Sequence, residues 1–239
     1  GEPFFGWIRT IVAARDLLSP QETLDSALLG IVEGLHAGIT TYADTAPGAA
    51  GFQAMRTLGV RGVAYLEVFG PDPALCEHAM SGLRARVDAL RPDETRLVRI
   101  GVSPHAPYSV SDALYAAVAA YARTDRLPLA THVAESDAES QLVSGGRGAF
   151  AEFLEGRGIS AVVRARTPIA LLEKHGVLGA NALLVHCVRC DDEDVATIAR
   201  HDAAVVTCPY SNRYFGHGVA PIAALTAAGV RLGVGSDSM

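Results

Sequence analysis

His132, Glu135, His186 and Asp237 are, by residue type, well suited to metal or proton chemistry. They stand at or just past the ends of short apolar runs: "PLATHVAES" (128–136), "LLVHCV" (183–188) and "LGVGSD" (232–237). A neutral imidazole can hold Zn²⁺ or Fe²⁺, and a nearby carboxylate can carry protons. His132 and Glu135 form an H-x-x-E pair. Side chains alternate between the faces of a strand, so these two point opposite ways while the chain stays extended. Glu135 must therefore lie past the strand end, on the turn, to face the pocket that His132 faces. By the same alternation His105 shares a face with Gly101 and Ser103, His132 with Ala130, and Asp237 with Arg231, Gly233 and Gly235. Small residues beneath a terminal polar group suit the floor of a barrel mouth. The two glycines below Asp237 are expected to leave an open pocket there. Singly, each residue has a plainer reading: a strand-end cap, or for His186 a hydrogen-bonded core histidine.

Other motifs carry less. "CVRC" (187–190) is a lone C-x-x-C, whereas a structural zinc site wants a second pair or matching histidines. The H-x-E with P-C-x-x-C of cytidine-type zinc deaminases is absent. Cys76 and Cys208 read as buried small apolar residues. His36, His78 and His201 fall in helical stretches and read as structural or surface groups. There is no G-x-S-x-G elbow, no Walker motif and no G-x-G-x-x-G.

The elements that must position these residues alternate along the chain. Strands are expected at 38–44, 61–69, 97–105, 127–134, 182–188, 203–209 and 231–237. These runs are rich in Val, Ile and Leu and do not alternate cleanly, as expected of parallel strands covered on both faces. Amphipathic helical stretches lie between them. "SPQETLDSALLGIVEGLHAG" opens with Ser19 as N-cap, Pro20 at the first helical position and Glu22 three residues after the cap, and it closes on Gly38. Repeated strand–helix alternation means a parallel α/β fold, barrel or open sheet. Polar candidates follow strand after strand here, with no glycine-rich phosphate loop, which favours a barrel. Seven strands are visible where a barrel needs eight.

Bulk properties bound the function. The chain has 239 residues, 49% hydrophobic and 19% charged, enough apolar material for one large core. A formal net charge of −6 without a basic block argues against nucleic acid or an anionic membrane as partner. No apolar run approaches the roughly 18 residues of a membrane span, and the start lacks a signal-peptide layout. Four cysteines in a chain this long form no disulfide framework, which fits a reducing cytoplasm. The first residue is not Met, so the natural N-terminus is expected upstream.

Six segments occur in one order: "GVSPHAPYSVS" (101–111), "THVAES" (131–136), "LLVHCV" (183–188), "VVTCPYSN" (205–212), "FGHGVAP" (215–221) and "GVGSDS" (233–238). This series resembles the amidohydrolase superfamily. It is most similar to the branch that holds deaminases of S-adenosylhomocysteine, methylthioadenosine, aminodeoxyfutalosine and guanine together with triazine chlorohydrolases. The resemblance implies a TIM-type (β/α)8 barrel and one divalent metal, Zn²⁺ with Fe²⁺ as the alternative. It makes His132, His186 and Asp237 metal-site residues, and Glu135, His186 and Asp237 the catalytic groups. His105 and Glu135 would meet the substrate, as would Ser211 and Asn212 of "CPYSN", a segment in which Tyr210 departs from the usual basic or small residue. The branch also carries an H-x-H at the end of its first strand, and this sequence has none. The expected extent is therefore residues 1–239 of a partial barrel domain, strands 2 to 8, without the small β-domain of the family. With His132 and Asp237 but no H-x-H, such a chain is expected to hold Zn²⁺ weakly, because a catalytic site wants at least three protein ligands, and His186 is the candidate for the third.

The chemistry so implied is hydrolytic deamination of an aminated N-heterocycle, an adenosine-type nucleoside or purine, with release of ammonia. Asp237 takes a proton from the attacking water. Glu135 protonates the adjacent ring nitrogen. His186 hydrogen-bonds the new oxygen. The enzyme class is that of hydrolases acting on C–N bonds of cyclic amidines. One alternative is a chlorohydrolase or other hydrolase of the same branch. Another, of a different class, is a non-catalytic barrel. The partner is a small heterocycle, and self-association into a homo-oligomer is left open.

Overall fold

The computed structural model describes residues 4–15 and 17–237. Seven strands form one sheet in chain order: β1 (Thr41–Ala46), β2 (Arg61–Val68), β3 (Val98–Pro104), β4 (Leu129–Val133), β5 (Ala182–His186), β6 (Ala204–Thr207) and β7 (Leu232–Val234). Every neighbouring pair is parallel. All seven fall within or overlap the runs expected from sequence. The unreversed order is that of consecutive β–α units, not of an open sheet with a switch point.

The sheet is curled. In a flat sheet β4 and β7 would lie three strand spacings apart, about 14 Å. Yet ligand atoms of His132, just inside the end of β4, and Asp237, just past β7, lie within 4.8 Å of each other. Curling brings these ends together in an incomplete TIM-type barrel. Among the described residues β1 and β7 do not pair with each other.

Local chemistry explains the elements. The helix Pro20–His36 begins as its sequence dictates: the Ser19 hydroxyl accepts the Glu22 N–H, and the Glu22 carboxylate accepts the Ser19 N–H. It ends at Ala37, and Gly38 takes φ +89 while donating to Leu35. That helix ending occupies the first residues of the expected 38–44 strand, so β1 starts later, at Thr41. β2 and β3 are buried along nearly their whole length. On the sheet side the core holds Leu66, Ile100, Val102, Leu129, Leu184 and Val205, and on the helix side Phe52, Met55, Met80, Leu83, Leu114 and Ile169. A smaller cluster joins Leu142, Phe150, Ala151 and Leu154.

The structure corrects two local expectations. The glycines below Asp237 do not leave an open pocket. A Cβ on Gly233 would lie 3.1 Å from Val206, and one on Gly235 would lie 2.9 Å from Val206 and 3.0 Å from the Cys208 sulfur. They are small because β6 packs against them. Cys76 is half-buried at the start of the helix Cys76–Leu90, not in the core, whereas Cys208 is buried. Among the described residues no helix is long and apolar enough to cross a membrane.

Candidate active site

The C-terminal ends of the strands gather the candidate residues. His105 follows β3, His132 lies in β4, His186 ends β5 and Asp237 follows β7. The rings of His105 and His132 are 5.0 Å apart, and those of His132 and His186 are 5.5 Å apart. His132, His186 and Asp237 each offer one ligand atom, all within 4.8 Å of one another. A second such group, Glu67 with His105 and His132, shares His132.

Backbone geometry at this rim is unusual. Ala134, His186, Cys187 and Asp237 all have positive φ, between 48° and 77°. Such values cost free energy for residues with a Cβ and persist where surrounding structure enforces them. At Ala134 the enforcing group is Glu139. Its two carboxylate oxygens accept the N–H of Ala134 at 2.7 Å and of Glu135 at 3.0 Å. The chain thereby turns just past β4 and carries Glu135 back over the mouth, where Oε1 lies 3.7 Å from His186 Nε2.

Hydrogen bonds assign the imidazole tautomers. His132 Nδ1 faces the His105 carbonyl oxygen at 3.3 Å, and a carbonyl can only accept, so Nδ1 carries the proton. His186 Nδ1–H donates to Asn212 Oδ1 at 3.0 Å. His105 Nδ1 meets Ser109 Oγ at 2.7 Å, and that hydroxyl is itself turned toward Ala106 O, so it accepts from His105. All three rings therefore present a bare Nε2. For His132 and His186 this is the form in which imidazole binds a metal, with the remote nitrogen fixed by an acceptor. Because His132 has one free nitrogen, it serves only one of the two ligand groups at a time. Asp237 is held by Ser211, whose hydroxyl donates to Oδ2 at 2.5 Å.

Electrostatics follow from this crowding. Burial, with His132 and His186 nearby, pushes His105 well below the ordinary histidine range, so it is neutral. Burial also lowers His186, with Glu135 opposing. Burial alone would raise the Glu135 carboxyl, but His186, His217 and His132 outweigh it and hold the group below the usual glutamate value. Tyr108 is pushed well above its usual value by burial and by Glu135 and Glu139.

Every candidate named from sequence lies in or against this one constellation: His105, His132, Glu135, His186, Ser211, Asn212 and Asp237. Three further residues escaped the sequence reading. Glu67, buried in β2, comes 4.0 Å from His105 Nε2. Glu139 stands three residues after Ser136, whose hydroxyl accepts its N–H, while its carboxylate reaches further back to the N–H groups of Ala134 and Glu135. His217 places Nε2 3.5 Å from Glu135 Oε1. Its signal was a histidine between two glycines in "FGHGVAP".

The donor set suits a divalent ion that takes nitrogen and oxygen ligands, as zinc does. Two bare imidazole nitrogens and one carboxylate converge, and three protein ligands is the number a catalytic zinc site uses.

Comparison with known proteins gives the family and the fold. The sequence model of the amidohydrolase family matches residues 4–239. The aminodeoxyfutalosine deaminase of Deinococcus radiodurans is 34% identical over 187 residues, covering 74% of this chain and 45% of that protein. The 5-methylthioadenosine/S-adenosylhomocysteine deaminase of Thermococcus kodakarensis is 28% identical over 240 residues, covering 98% of this chain and 52% of that protein. The chain thus spans about half the length of the curated relatives it matches. The crystal structure of an adenosine deaminase from Xanthomonas campestris with bound zinc shares the fold, with a TM-score of 0.80 at 24% identity over 99% of this chain and 51% of that one.

Proposed function

The chain belongs to the amidohydrolase family, and from that premise we propose that its complete protein is a zinc-dependent deaminase of an aminated N-heterocycle, with an adenosine-type nucleoside as substrate. The family is metal-dependent. The observation that carries the reading is the convergence of His132, His186 and Asp237 within 4.8 Å, with Glu135 against His186. The two deaminase relatives favour a nucleoside substrate.

In this reading His132, His186 and Asp237 hold the ion. A divalent ion so held would lower the pKa of water toward about 7, so that a nucleophile would be available at neutral pH. Glu135 is ionised at rest, since its neighbours hold its carboxyl low. It therefore takes a proton from the attacking water and delivers it to the ring nitrogen beside the carbon under attack. Negative charge on the ring is relieved as the C–O bond forms. Asp237 takes the second proton of that water and passes it to the amino group, which leaves as ammonia. The two protons of one water are thus accounted for, one on the ring nitrogen and one on ammonia, and the carbon is left as a carbonyl. His105, neutral and 5.0 Å from His132 ring to ring, offers its bare Nε2 to a substrate donor. Ser211 holds the Asp237 carboxylate, and Asn212 holds the His186 ring.

The test is ammonia release and the ultraviolet change from adenine to hypoxanthine across adenosines, guanine and chlorinated triazines. Ammonia from an adenosine is the expected result. Chloride from a triazine, with no ammonia from any aminated ring, would move the assignment to a chlorohydrolase of the same family.

A further inference from the structure

Glu135 Oε1 has two imidazole neighbours, His186 Nε2 at 3.7 Å and His217 Nε2 at 3.5 Å. The first cannot hold it by a hydrogen bond when neutral. The single proton of His186 lies on Nδ1, donated to Asn212. His217 is therefore the neighbour able to donate; its 3.5 Å lies just beyond the usual range of about 2.7–3.2 Å for such a bond, so the pair has to close by a few tenths of an ångström to make it.

The segment around His217 is built to present it. The His217 N–H donates to Asn212 O at 2.8 Å. Gly216 and Gly218 take φ +71 and +105, a backbone region that residues with a Cβ rarely adopt. The Phe215 ring lies against the imidazole, centroids 5.7 Å apart at 29°. The residue is buried, at 7% exposure. Packing alone would be served by an apolar side chain, because a buried polar group is costly unless it is hydrogen-bonded. Asn212 ties the arrangement together. Its side chain orients one imidazole beside Glu135, and its carbonyl anchors the other.

We propose that His217 is a positioning residue for Glu135, donating Nε2–H to Oε1 and leaving Oε2 as the oxygen that carries the proton. His217 is then the one histidine of the site that donates from Nε2, opposite in tautomer to His105, His132 and His186. The catalytic half of this inference rests on the deaminase reading above. The tautomer half does not.

Ring ¹⁵N NMR of the complete protein reads the tautomer without turnover. A protonated Nε2 on His217, with a resonance that moves in Glu135→Gln, is the expected result. A proton on Nδ1, or a resonance indifferent to Glu135→Gln, overturns the proposal. In kinetics, His217→Ala should lower kcat about 10- to 100-fold, the scale of a misplaced reactive group, with KM nearly unchanged. His217→Gln, whose amide N–H reaches the same place, should recover most of the loss. An unchanged kcat in His217→Ala, or equal losses in both variants, overturns it as well. If the unsubstituted protein releases no ammonia, the deaminase reading fails, and the NMR result alone decides the role of His217.

Discussion

Asn212 fixes the ring of His186: Oδ1 accepts the Nδ1–H at 3.0 Å, with both residues buried. The bond determines which nitrogen is bare and where it points. Leucine at 212 fills similar space but cannot accept, so the imidazole is freed to rotate and change tautomer. Outer partners of metal-binding histidines typically contribute about 10- to 100-fold in affinity. Asn212→Leu should weaken zinc binding on that scale, measured by competition with a chromophoric chelator, while Asn212→Asp, which keeps an acceptor, should lose less. Equal affinity in Asn212→Leu and the unsubstituted protein would mean that His186 is not a ligand.

Much of this candidate site was legible in the sequence, through strand-end geometry together with an ordered motif series that resembles the amidohydrolase superfamily. A parallel strand covered on both faces is a continuous apolar run, so a His or Asp at its end stands out, as His132, His186 and Asp237 do. Strand parity adds that Glu135 can face the same mouth as His132 only from a turn past the strand end. Glu139 was not legible because its S-x-x-E pattern with Ser136 has a sufficient local explanation. Only the fold reveals that its carboxylate spans Ala134 and Glu135. His217 and Glu67 depend on which strands and loops become neighbours in the curled sheet, which no local pattern encodes. The glycines at 233 and 235 misled for a related reason: a missing side chain reads equally as an empty space or as a close neighbour, and β6 makes it the second.

Gly101 offers a test of the sheet beneath the site. A Cβ there would come 2.5 Å from the Tyr65 ring and 2.8 Å from the Pro128 carbonyl oxygen. The ring and the backbone of the next strand cannot both move aside without disturbing β2 and β4. Overpacking of this kind typically costs about 1–3 kcal/mol. Gly101→Ala should lose that much by urea denaturation. Gly82, which has nothing within 4 Å of an added Cβ, provides the control, and a loss at Gly82→Ala as large as at Gly101→Ala would discredit the packing argument.

Glu135→Gln separates proton transfer from metal binding. Glutamine keeps the size of the side chain and its hydrogen-bonding reach but cannot take a proton from water and deliver it. Groups acting as general acid or base typically contribute about 10²- to 10⁴-fold. Turnover of the deaminated substrate should fall by at least the lower figure, with metal content by elemental analysis unchanged. Asp237→Asn should lose both metal and rate, because that carboxylate is assigned both tasks. An active Glu135→Gln protein would remove Glu135 from the mechanism.

Glu139 should leave a signature in stability against pH. It is wholly buried, and burial pushes its carboxyl up to about 8, although the Ala134 and Glu135 N–H bonds pull the other way. In the unfolded chain a glutamate ionises near its ordinary value of about 4.3. Below that pH both states hold the proton, and the group makes stability no more or less sensitive to pH. Between that value and about 8 the unfolded chain has released the proton while the folded one keeps it. The unfolded state then binds fewer protons, so stability falls as pH rises and levels off above the folded value. The loss is on the order of a few kcal/mol. Glu139→Gln is neutral at every pH, so its own stability curve should lack this slope even though it forfeits one acceptor for the two N–H groups. Urea denaturation of the metal-free protein at pH 5, 6.5 and 8 supplies the comparison, other titrating groups cancelling in the difference between the two proteins. The stability of the unsubstituted protein relative to Glu139→Gln should fall steadily from pH 5 to 8. Parallel curves would show that Glu139 is ionised throughout, held by its two N–H donors more strongly than burial opposes it.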